Sequence, residues 1–87
     1  MEINVYGTET YTTFVCREPI KINTENYPEL EGMSEEEAKE YIRENAWEMK
    51  PSEESEYYDS LGDELMQSDV SHDKIYGEET GVIFDGE

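Results

Sequence analysis

A small α+β domain is what this chain predicts: an antiparallel or mixed sheet of about four to five short strands with two helices packed on it. Three observations carry that expectation. Apolar residues alternate with polar ones near the start, a capped amphipathic segment occupies the middle, and two β-branched or aromatic runs close the chain. Residues 1–87 form one unit, because a second core would fall below the size at which burial offsets chain entropy.

In the first strand, Ile3 and Val5 alternate with polar neighbours. Gly7-Thr8-Glu9-Thr10 reads as a hairpin turn, and the β-rich run from Tyr11 to Arg17 as its second arm. Pro19 breaks that run, and Ile20-Lys21-Ile22 resumes the alternation as a third strand or as a continuation past a bulge. Residues 23–32, with Pro28 and Gly32, form a connecting loop anchored to the core by Tyr27 and Leu30.

Ser34 with Glu37 three residues later makes a capping box, so a helix starts there. Ala38, Ile42, Ala46 and Met49 recur at spacings of four and three as its buried stripe, with Tyr41 on the edge. Pro51 ends it by pushing Lys50 out of the α region. Trp47 lies off the stripe, and either packs under a neighbouring loop or stands exposed as a contact residue. Ser52 is placed to cap a second helix with Glu53, Glu54 and Glu56 in its first turn, where negative charge meets the helix dipole favourably. Tyr58, Leu61 and Leu65 would be its buried face, and its end falls between Gln67 and Ser71. Gly62 inside it costs about 1 kcal/mol relative to Ala. Lys74-Ile75-Tyr76 and Val82-Ile83-Phe84 read as a closing hairpin.

The charge bears on function. The chain has 24 acidic residues against six basic ones, a net charge of −18, whereas small domains ordinarily carry a magnitude of about 2 to 8. With 34% hydrophobic residues it sits near the disordered class, but seven Tyr, two Phe and Trp47 supply apolar area and the apolar positions are periodic. Such charge disfavours anionic membranes and direct contact with nucleic acid. No stretch nears the roughly 20 apolar residues that span a bilayer, and Met-Glu-Ile-Asn lacks a signal-peptide pattern. Cys16 is the only cysteine, fits a reducing compartment and reads as a small buried hydrophobe. The expected location is cytoplasmic.

Two acidic rows stand out. Glu37, Glu40, Glu44 and Glu48 share one side of the first helix at spacings of three, four and four. Like charges so placed repel by a few tenths of a kcal/mol per pair. At roughly 5 to 6 Å, their separation is comparable to that of phosphates along a nucleic-acid strand. The second row runs through Glu53, Glu54, Glu56, Asp59, Asp63, Glu64, Asp69 and Asp73, with no Lys or Arg between Pro51 and Asp73. Trp47, Tyr57 and Tyr76 are the candidate aromatic anchors on a partner; Tyr41 and Tyr58 fit half-buried packing better.

The motifs of catalysis are missing. Asp69-Val70-Ser71-His72-Asp73 matches the first, third and fifth ligand positions of an EF-hand loop, but Lys74 stands where glycine is needed and Thr80 where a bidentate Glu is needed. His72 is the only histidine, too few for a zinc site or a Cys/His nucleophile. Neither a phosphate loop nor a dinucleotide motif is present, and a domain this small rarely encloses a cleft that tunes paired carboxylates. The expectation is a non-enzyme without cofactor or metal.

In size, charge and the rows Glu37 to Glu48 and Glu53 to Asp73, the chain resembles the small acidic proteins of phages and mobile elements that imitate nucleic acid, among them anti-restriction proteins and several anti-CRISPR inhibitors. That resemblance implies a stoichiometric inhibitor occupying a Lys/Arg-lined groove on a nucleic-acid-binding protein such as a CRISPR effector or restriction enzyme. The alternatives are an acidic interaction module without inhibitory action and a homodimeric accessory protein that pairs strand edges.

Self-repulsion makes a first prediction. Raising salt from about 0.01 to about 0.1 M contracts the screening length from about 30 to about 10 Å, so the thermal midpoint followed by circular dichroism rises over that range. A flat or falling midpoint counts against charge strain.

Overall fold

The computed structural model describes residues 1–10, 14–53, 55, 57–73 and 81–85, with the backbone alone at residues 10, 14, 15 and 70–73. Strands β1 (Glu2–Thr10), β2 (Phe14–Arg17) and β3 (Ile20–Asn23) are followed by two short 3-10 turns, helix α1 (Glu35–Asn45), helix α2 (Leu61–Gln67), and strands β4 (Val70–Asp73) and β5 (Gly81–Phe84). The fold is α+β with one antiparallel sheet, as the alternation and the capping box predict.

Strand β1 is the hub of the sheet. Val5 pairs with both Ile20 and Phe84, and Thr8 with both Cys16 and Gly81. β5 therefore lies on one edge of β1, while β2 and β3 follow one another along the other. Between the pairs Thr8↔Cys16 and Val5↔Ile20, four steps on one arm answer three on β1. Glu18 and Pro19 take up that extra residue as a bulge, so β3 is both a separate strand and a continuation of β2's arm. β4 pairs with the outer edge of β2.

Two expectations are corrected. β1 runs through Gly7-Thr8-Glu9-Thr10 to Thr10 instead of turning there. A turn-like composition misleads at this point because Gly7 answers a distant contact: a Cβ there would lie 2.7 Å from the Leu65 carbonyl oxygen of α2. The second arm is β2 from Phe14, residues 11–13 lying outside the described ones. Of the expected closing hairpin, the arm at residues 74–76 lies outside the described ones; the other arm is β5, which pairs with β1, while β4 pairs with β2. The second helix begins at Leu61, not after Ser52. Ser60 is its N-cap and accepts from the Asp63 N–H at 3.1 Å. It ends at Gln67, within the expected interval.

Both helices cover the face of β1 that carries Ile3, Val5 and Gly7, together with Ile22, Val82 and Phe84. Ser34 and Glu37 exchange the two bonds of the capping box, 3.2 and 3.1 Å. Ala38, Ile42, Ala46 and Met49 are buried, with Tyr41 packed at the margin. Tyr27 and Leu30 anchor the connecting loop in the core, and the Tyr27 hydroxyl donates to the Lys50 carbonyl at 3.1 Å. Cys16 is buried. Among the described residues no helix is long and apolar enough to cross a membrane.

The helices join through their ends. The N–H groups of Leu61 and Gly62 donate to the carbonyls of Met49 and Ala46, each at 2.8 Å. These bonds satisfy two of the four donors left without partners at the start of α2, one on the C-cap carbonyl of α1 at Ala46 and one on the turn that follows it. Trp47 lies across the joint. A Cβ at position 62 would overlap the Cδ2 and Cε3 atoms of its indole.

Glycine is thus needed at both positions. Gly7→Ala forces a side chain against backbone, and Gly62→Ala forces the indole off the joint; each is expected to lower unfolding free energy by about 1 to 3 kcal/mol in urea titration. The same substitution at Gly81, where a Cβ meets nothing within 4 Å, serves as the control.

Candidate functional site: an acidic face around the helix joint

The helix joint brings the two acidic segments together. Glu37, Glu40 and Glu44 are exposed along the outer side of α1, and Glu48 is exposed in the turn after it. Across the joint, Asp59 precedes the Ser60 cap and is exposed, while Asp63 sits half-buried in the first turn of α2. Glu53 is exposed in the segment that links the helices, and Asp69 between α2 and β4. Asp73 falls in β4, where the backbone alone is described; Glu54, Glu56 and Tyr76 lie outside the described residues.

Glu64 departs from the expected row. Its residue is 5% exposed, and its carboxylate accepts from the Ser52 N–H at 3.1 Å and from the Ser52 hydroxyl at 2.7 and 2.8 Å. It lies three residues after Leu61, on the side of α2 that Leu61 buries, and faces inward. Glu64 is a tie for the linking segment, not a partner-facing charge. Ser52, expected as a helix cap, is the donor that satisfies it.

The aromatic candidates divide. Trp47 is 55% exposed, with the rest of its surface spent on the Gly62 backbone, and Tyr57 is 94% exposed. Trp47 therefore combines the two expected alternatives, packing on a neighbouring segment while presenting surface to solvent. Tyr58 is half-buried, as is Tyr41.

The basic side chains among the described residues are turned to internal use. The Arg17 guanidinium lies 3.3 Å from the Glu9 carboxylate and donates to the Ser68 carbonyl at 3.1 Å, placing a cation at the C-terminus of α2. Lys39 and Arg43 stand over the Phe84 ring at 5.7 and 5.2 Å, and Lys50 over Tyr27 at 5.5 Å. Lys39 also pairs with Glu35 at 3.9 Å, and Lys21 with Glu2 at 4.0 Å. Among the described residues, Glu40, Glu44, Glu48, Asp59 and Asp69 form no ion pair.

A polar cluster on the far face of the sheet escapes sequence reasoning. Asp85 accepts from the Tyr6 hydroxyl at 2.6 Å and from the Asn4 amide at 3.0 Å, and these bonds hold its carboxyl below the usual aspartate range. Alternation places Asn4 and Tyr6 on one face of β1, but Asp85 is 79 positions from Tyr6 and has no local signal. The Ser34 N–H and hydroxyl likewise lower the Glu37 carboxyl while fixing it to the helix cap. Glu37 thus serves the fold as well as the row. The Asp69 segment has a structural partner too, its carbonyl accepting from the Glu18 N–H at 2.7 Å. The residues resembling the opening of an EF-hand loop include β4, which is extended and paired with β2.

Burial pushes the Tyr27 phenol up from 10.0 to about 12, helped by the negative charges of Glu64, Glu29 and Glu53. The folded protein keeps a proton in that window which the unfolded chain has lost, so stability is present below about 10 and falls as pH rises toward about 12. Chemical denaturation across this range will show a decline that is smaller in Tyr27→Phe; an equal decline in both proteins would place its source elsewhere.

No protein-family model matches the chain, and no curated protein or solved structure is significantly similar to it.

Proposed function

We propose that this protein is a nucleic-acid mimic: an acidic inhibitor that occupies the basic groove of a nucleic-acid-binding protein, of the kind that phages and mobile elements direct against CRISPR effectors or restriction enzymes. The observation that carries the reading is the division of charge. Each described cation lies against a carboxylate or a ring of this chain, while Glu40, Glu44, Glu48 and Asp59 stand exposed and form no ion pair among the described residues. A solubility device needs only net charge. A face whose carboxylates are left without ion pairs presents negative potential to a partner.

On this reading, carboxylates replace phosphates against the partner's Lys and Arg side chains, and association is fast at low salt and weak at high salt. The protein is a binder, acts without a cofactor, and works where the target enzyme works, in the bacterial cytoplasm.

Immobilised protein exposed to a bacterial lysate and eluted with salt tests this directly. The expected result is a nucleic-acid enzyme that its own DNA or RNA displaces and that the protein inhibits stoichiometrically. The triple variant Glu44→Lys, Glu48→Lys, Asp59→Lys, with its fold checked by circular dichroism, should weaken that inhibition about tenfold or more at low salt. Undiminished inhibition by the folded variant would remove this face from the mechanism, and salt-insensitive self-association with no nucleic-acid enzyme bound would favour the edge-pairing dimer.

A further inference from the structure

The acidic face contains an aromatic group that is both seated and uncovered. We infer that Trp47 is an arginine-recognition platform: its exposed surface stacks on a guanidinium of the partner while carboxylates beside it accept that group's N–H edges. The inference rests on reading the acidic face as a binding surface, and adds which cation the face selects and where.

Three features of the joint support it. First, Trp47 is held. Its indole lies on the Gly62 backbone so closely that a Cβ would overlap the ring, and the backbone beneath it is tied by the bonds from Leu61 and Gly62 to Met49 and Ala46. A ring fixed before binding loses little conformational freedom on contact. Second, Trp47 is 55% exposed, although the chain is short of apolar area to bury. Ordinary core packing leaves that surface unexplained. Third, acidic residues flank the contact: Glu48 follows Trp47, Asp63 follows Gly62, and Glu44 lies three positions earlier on α1, while Arg43, four positions earlier, stands over the Phe84 ring.

The cation is specified by the shape of this arrangement. A guanidinium is planar, weakly hydrated and carries donors around its rim, so it can lie on an indole and still reach carboxylates at the ring's edge. An ammonium is a compact, strongly hydrated charge, and gains less from stacking. Acidic residues elsewhere on the surface attract Arg and Lys alike. Trp47 discriminates between them, and this suits a partner whose groove is lined with phosphate-binding arginines.

The test uses two peptides of equal length and charge, alternating Arg-Gly and Lys-Gly, titrated into the full chain at low salt. Trp47 is the only tryptophan, so its fluorescence reports contact while calorimetry gives affinity. The Arg peptide is expected to bind about two- to fivefold more tightly and to perturb the indole emission more strongly. Trp47→Leu should abolish the preference while leaving the affinity for the Lys peptide and its salt dependence unchanged; Trp47→Phe should retain part of it. Equal binding of the two peptides to the native protein, or a preference that survives in Trp47→Leu, overturns the platform and leaves the acidic face standing. Binding of neither peptide overturns both.

Discussion

Leu61 and Gly62 begin α2 by donating their N–H groups to the carbonyls of Met49 and Ala46, in the turn that closes α1, and the placement of the acidic residues follows from that joint. A helix of seven residues has too few internal bonds to be stable alone. Here its first turn is completed by another helix and by the Ser60 cap, and its last turn by the Ser68 hydroxyl on the Leu65 carbonyl and by Arg17 on the Ser68 carbonyl. The joint allows no side chain at Gly62, because Trp47 lies across it. One close approach thereby sets the direction of α2, brings Glu44 and Glu48 toward Asp59 and Asp63, and seats the indole among them.

The electrostatic design works against this compactness. A chain with charge −18 repels itself, and spreading its cations over the surface would relieve the strain. Instead Lys39 and Arg43 shield the edge of the core at Phe84, Lys50 lies on Tyr27, and Arg17 neutralises Glu9 beside the end of α2. Each position strengthens packing or a helix terminus. None interrupts the acidic side of α1, where the row Glu40, Glu44 and Glu48 is kept despite repulsion of a few tenths of a kcal/mol per neighbouring pair. The exposed cations Lys21, Arg43 and Lys50 each lie against a carboxylate or ring of the chain, and the row Glu40, Glu44 and Glu48 keeps a single sign of charge.

Local signals were legible in the sequence and distant ones were not. The capping box of Ser34 and Glu37 involves residues three apart, and the stripe from Ala38 to Met49 depends on helical spacing alone, so α1 could be read directly. Gly7 could not, since its reason lies in Leu65. Ser52 and Ser60 are equally good caps by type, each followed by acidic residues; only the bonds to α1 decide for Ser60. The joint that carries the candidate site was invisible for the same reason. Glu64 is a different case: its spacing from Leu61 already places it on the buried side, but that signal is masked by the carboxylates around it.

Burying Glu64 in so acidic a protein has a cost, because the carboxylate leaves water and approaches other negative charge. It is retained where the segment between the helices has little else to hold it: within residues 52–59 the described side chains are polar or aromatic, and the aromatic Tyr57 is turned to solvent. Three bonds from Ser52 to Glu64 supply the missing anchor, and charge-assisted bonds of this kind are the stronger class. An apolar residue at position 64 would pack against Leu61 and Leu65 but leave the Ser52 N–H and hydroxyl without that acceptor. The exposed part of the acidic face therefore keeps its shape through a carboxylate that is not on it, and substitutions meant to probe the charge of the face must leave Glu64 intact.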